Sequence, residues 1–193
     1  LAALIAVFLV LTQSRAQAHL VTTGLGPLYD GAGHLVLSPE CWLVPLVLGL
    51  LAGLRGQAAG RRAVLWMPAA WLISGVAGSL ITLKISFPAS TLIFLILGLL
   101  IAMNRALTVR TVGIIAAIVG VIQGLLDGLS MPWREGGVLA VLGSAAAAWI
   151  LLTLVTGFVV ALQRPWQRIV GRVVGSWIAA IGLLMLGWWI KQG

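Results

Sequence analysis

Side chains able to bind or move charge are few in this chain, and they gather in two places. The first is RAQAHLVTTGLGPLYDGAGHLVLSPE, residues 15–40, which holds both histidines, two of the four acids and the single tyrosine. His19, Asp30, His34 and Glu40 there supply imidazole and carboxylate, a nitrogen and oxygen donor set for a metal site on the outer face, with Asp127 lining its entry. Were His19 the first residue after a removed leader, its amine and imidazole would form a chelate suited to a Cu(II)-like ion. In an uncut chain it is an ordinary loop side chain. The spacing selects no particular metal, because no HxxxH-type helical pair is present. A structural alternative stands beside this reading: Tyr29-Asp30-Gly31 makes a turn, and His34 and Glu40 cap or pack at a helix start. Cys41, beside a carboxylate and at the edge of an apolar run, reads as a small buried residue rather than a ligand.

The second place is GVIQGLLDGLSMP. Gln123 and Asp127 are four residues apart and so share a helical face. Gly120, Gly124 and Gly128 repeat at the same interval, two overlapping GxxxG steps that allow another helix to approach closely. A carboxylate within a membrane helix is costly and usually functional. Asp127 with Gln123 is therefore a candidate for an ion or proton pathway. The alternative is a carboxylate near the membrane interface, satisfied by backbone or by Gln123, with the glycines serving packing. No GxSxG, HExxH or P-loop pattern occurs, so no catalytic residues and no enzyme activity are expected.

The elements that must carry these residues are set by composition. Of 193 residues, 61% are hydrophobic and 8% charged, against about 25% charged in a soluble domain. The expected fold is all-α, a polytopic membrane bundle with six spans and an N-terminal leader helix. Residues 1–18 are either a signal peptide ending at the small-x-small pair Ala16 and Ala18 or a retained seventh helix. Residues 19–40 form an outward-facing polar segment, and 41–193 hold the spans, near 41–54, 63–83, 88–103, 111–131, 137–162 and 169–190. Inside these, the middle and inner depths offer only hydroxyls: Ser74, Ser79, Thr82, Ser144, Thr153, Thr156 and Ser176.

Loop charge sets the orientation. Alternate connections receive Arg55, Arg61, Arg62, Arg105, Arg110, Arg164 and Arg168 on one side, with Arg172 just inside the last span. The other side receives Lys84, Arg134 and Lys191. The arginine-rich side reads as cytoplasmic, in a bacterial-type inner membrane, with residues 19–40 and the C-terminus on the periplasmic side. The net charge of +8 is thus a topology signal, and the expected partner is the lipid bilayer rather than nucleic acid. The single cysteine excludes an internal disulfide framework and any CxxC site.

AHLVTTGLGPLYDGAGHLVLSPE, the following apolar run with LLAGLRG, and GVIQGLLDGLSM together resemble the hydrogenase/urease accessory membrane family (HupE/UreJ). The resemblance implies six or so spans and passage of a divalent metal, chiefly nickel or cobalt, or its delivery to a metalloenzyme assembly. This chain departs from the pattern in two ways. Gln123 stands where the family's fourth-span motif carries a histidine, and an Asp-His pair is replaced, loosely, by Glu40 and Cys41 behind His34. Two functions follow: a metal permease with its mouth at residues 19–40, or a non-transporting subunit packed against a larger membrane complex.

Overall fold

Prolines and glycines mark the ends of the helices. The computed structural model describes residues 23–81, 83, 88–131, 133, 136–162 and 165–192. Among them the regular elements are all helices: α1 (Pro27–Leu37), α2 (Pro39–Leu54), α3 (Gln57–Ser79), α4 (Ala89–Ala102), α5 (Val109–Ser130), α6 (Gly137–Ala161) and α7 (Pro165–Gln192). Pro27 and Pro39 start their helices, where a missing N–H costs nothing. Gly56 enters α3 at φ 96°, a conformation that disfavours any side chain. Thr108 caps α5, its Oγ1 accepting from Thr111 N at 3.1 Å.

Each of the six apolar runs read from sequence contains one helix, α2 through α7. The leader and His19 lie outside the described residues, as do Lys84, Arg134 and Arg164. The difference lies at residues 27–37, where Tyr29-Asp30-Gly31 is not a turn but the first part of α1. That helix ends at Ser38, which is extended at φ −100° and ψ 101°. A residue preceding proline is pushed out of the helical region, and the chain accordingly bends by 75° between α1 and α2.

By length and composition, three helices suffice to cross a membrane, in α5, α6 and α7, or four if the bent α1–α2 pair counts as one span. This is fewer than the six runs suggest. At 14 residues α4 is about 21 Å long, short of about 30 Å of hydrocarbon. With 23 residues α3 is long enough, but it opens on Gln57, Arg61 and Arg62 and is rich in Gly, Ala and Ser. The outer surface is nonetheless apolar, with Leu184 74% and Ile73 75% exposed. Such a surface belongs in lipid, not water.

Small residues set the helix contacts. Along α5, Gly120, Gly124 and Gly128 lie against the α3 backbone, and a Cβ on them would overlap the carbonyl oxygens of Met67, Trp71 and Gly75 respectively. The same device packs α1 on α6, where Gly31 meets the Ala140 carbonyl and Gly143 that of Leu28. Below them the core is sealed by Val44, Leu48, Leu51, Met67, Ala148 and Leu152, all without exposure.

Candidate cation site

Because α5 presses its glycine stripe on α3, the neighbouring stripe of Gln123 and Asp127 turns inward. Gln123 is 2% and Asp127 3% exposed. A carboxylate so buried needs partners. Two of them share one oxygen: Trp71 Nε1, from α3, donates to Asp127 Oδ2 at 3.0 Å, and Ser144 Oγ, from α6, donates to the same Oδ2. The other oxygen, Oδ1, is buried and has no hydrogen bond among the described residues.

What faces Oδ1 is His34. Its Nε2 stands 3.8 Å from Asp127 Oδ1, and the ring is buried, 7% exposed. Cys41 Sγ lies 3.9 Å from the same Nε2. In a straight helix residues seven apart are separated by about 10.5 Å along the axis. The bend at Ser38 is what allows His34 and Cys41 to meet. Ser90, at the start of α4, donates to Gln123 Oε1 at 3.4 Å. Six helices, α1 to α6, thus contribute a polar side chain to one place.

Beside these groups lies a cavity of about 310 Å³, lined among others by His34, Glu40, Cys41, Gln123, Asp127 and Ser130 but not by Trp71 or Ser144. Glu40 and Ser130 are exposed and form its rim, while His34, Gln123 and Asp127 are buried at its floor. An acid thus stands at the mouth and a carboxylate–imidazole pair beneath it, with Pro88, Ala89 and Leu126 also in the wall. Two donors bound to one ion at about 2.1 Å each stand no more than about 4.2 Å apart, so the 3.8 Å gap can be bridged by a single cation. No group of three His, Cys, Asp or Glu side chains able to hold a metal occurs among the described residues. A bound ion would therefore complete its shell with Gln123, with water or with other neutral donors.

Of the residues singled out in the sequence, His34, Glu40, Gln123 and Asp127 reach this cavity. Asp30 is not among its lining residues. It sits in the first turn of α1, ahead of the apolar helix α2, where Thr23 N and Oγ1 donate to its Oδ1 at 2.6 and 2.7 Å. Those two bonds hold its carboxyl below the ordinary range. Cys41 is buried, as expected, yet it lines the cavity. Sequence reasoning missed Trp71 and Ser90. Ser144 stood among the intramembrane hydroxyls, but nothing in the chain pairs it with Asp127.

Fold and site define a class: an α-helical membrane protein with a cavity at one end that holds a buried imidazole and carboxylate, above a largely apolar core. The family model described as HupE / UreJ protein matches residues 7–185, and the chain belongs to that family. Comparison with curated proteins and with solved structures gave no significant match.

Proposed function

We propose that the protein takes up a divalent cation, nickel, cobalt or copper, from the periplasmic side and passes it on. It does so either as a permease or as an accessory that delivers metal to a metalloenzyme assembly. The observation that carries this reading is the facing pair of His34 Nε2 and Asp127 Oδ1, 3.8 Å apart at the floor of an acid-rimmed cavity. Family membership points the same way. Glu40 attracts the ion, His34 and Asp127 hold it, and Gln123, next along the α5 face, lies on its onward route.

The reading includes six membrane crossings by α2 to α7 with the arginine-rich loops in the cytoplasm. In its support, Arg55 Nη1 donates to Asn104 Oδ1 at 3.1 Å, and Arg172 Nε to the Ala102 carbonyl at 3.2 Å. The α2–α3 loop, the α4–α5 loop and the start of α7 therefore share one end, and the cavity opens at the other. That arrangement obeys the positive-inside rule.

The test is uptake. Proteoliposomes carrying the protein should accumulate Ni²⁺ or Co²⁺, and Asp127→Asn or His34→Ala should reduce it. Equal accumulation by the parent and the double variant would remove the transport reading.

A second reading has an observation of its own. Beneath the site, Val44, Leu48, Leu51, Met67 and Leu152 are without exposure, and the buried polar side chain on the way to the arginine-rich end among the described residues is a hydroxyl, Thr156. A cation path, by contrast, needs coordinating groups at several depths. A non-transporting subunit of a larger complex accounts for that seal. It requires a stoichiometric partner in mild-detergent purification, and a clean monomer would count against it.

A further inference from the structure

Asp127 is held asymmetrically. Both hydrogen bonds to its carboxylate, from the Trp71 indole and the Ser144 hydroxyl, end on Oδ2. None among the described residues reaches Oδ1, which is buried and faces His34 Nε2. If the purpose of Trp71 and Ser144 were to solvate a stray buried charge, each oxygen would gain by having a donor, because each lone-pair site left bare in a low-dielectric interior is costly. Two donors converge on one oxygen instead, and the second is left facing His34 Nε2 at 3.8 Å, an ion-pair contact rather than a hydrogen bond.

The two donors also come from helices that are themselves held close to α5 or α1. Trp71 sits where Gly124 packs on its carbonyl, and Ser144 is next to Gly143, which packs on Leu28 of α1. Both are without exposure. The Ser144 hydroxyl also has the Val141 carbonyl within 3.1 Å as a second acceptor, and neither donor lines the cavity.

We infer that Trp71 and Ser144 are positioning residues for cation binding: they fix Asp127 through Oδ2 so that Oδ1 is turned toward His34 as a ligand for a divalent ion. The inference rests on the cation reading of the cavity and deepens it. Groups that orient a ligand in this way matter nearly as much as the ligand, and losing one typically weakens metal binding about 10- to 100-fold.

The experiment uses the full chain in detergent with Co²⁺ as probe, read by equilibrium dialysis and by the visible ligand-field spectrum. Ser144→Ala and Trp71→Phe should each weaken Co²⁺ binding about 10-fold or more and shift the band at saturation, since the carboxylate then meets the ion in another geometry. Ser74→Ala is the comparison. It also removes a buried hydroxyl on α3, but one whose acceptors among the described residues are backbone carbonyls, Ala70 O at 2.8 Å among them, whereas Ser144 reaches Asp127 Oδ2 as well as the Val141 carbonyl. It should bind Co²⁺ with the parent's affinity and spectrum. Should Trp71→Phe fail to fold, Ser144→Ala, which removes a single oxygen, decides the matter. Parent-like binding by Ser144→Ala, or an equal loss in Ser74→Ala, overturns the inference and leaves the cation reading intact. Absence of Co²⁺ binding by the parent overturns both.

Discussion

His34 Nε2 and Asp127 Oδ1 face each other across 3.8 Å from two helices, α1 and α5, with few direct contacts between them. The pair is assembled through intermediaries: α1 lies on α6, α6 and α3 clasp Asp127, and α3 lies on α5. Geometry at the site therefore depends on glycine contacts as much as on the two side chains.

Removing the charge without changing the shape isolates the electrostatic part. Asp127→Asn should abolish high-affinity Ni²⁺ or Co²⁺ binding, with a loss on the order of 100-fold, the upper end expected even for groups that merely support a ligand. His34→Ala should do the same, and equilibrium dialysis of the purified protein measures both.

Asp30 supplies the opposite control. Asp30→Asn should leave metal affinity unchanged, since that residue does not line the cavity. Its effect belongs to stability. Thr23 depresses the Asp30 carboxyl, so its contribution is present above the unfolded value near about 3.9 and is lost as pH falls through the lower folded value. Thr23→Val should move the Asp30 titration upward by carboxyl NMR, with parent-like Co²⁺ binding.

Cys41 reports occupancy. It is buried, it lines the cavity, and its sulfur is 3.9 Å from the imidazole that would hold the ion. Alkylation by a maleimide should be slow and should slow further, several-fold, when Co²⁺ is added. A rate that ignores the metal would place the ion elsewhere.

Packing predicts a structural sensitivity at Gly128. A Cβ there would overlap the Gly75 carbonyl and crowd Ser79 N, so Gly128→Ala should force α3 and α5 apart. Overpacking of this kind costs about 1–3 kcal/mol. The expected outcome is a lower melting temperature in detergent, together with weaker metal binding because Trp71 moves with α3.

Several features were legible along the chain. Apolar runs, helix-opening prolines and the 8% charge content located the helices α2 to α7, except that α3 opens at Gln57, well before the run read from 63, because its first turns carry Arg61 and Arg62. The four-residue interval put Gln123 and Asp127 on one face and the three glycines on another stripe of the same helix. Helix α1 escaped notice because Gly31 and Gly33 dilute its pattern. Its stability comes from backbone contact with α6 rather than from an apolar face of its own.

What the sequence determined by itself was therefore the helical membrane class, the asymmetry of charge between loops, and the helix face that carries the buried carboxylate. Tertiary structure alone decided who meets that carboxylate. The bend at Ser38 folds His34 back beside Cys41, and glycine contacts bring Trp71 and Ser144 to one oxygen of Asp127. Periodicity records which way a side chain points from its own helix. It holds no record of which neighbouring helix stands there, since that depends on backbone approach between segments far apart in the chain.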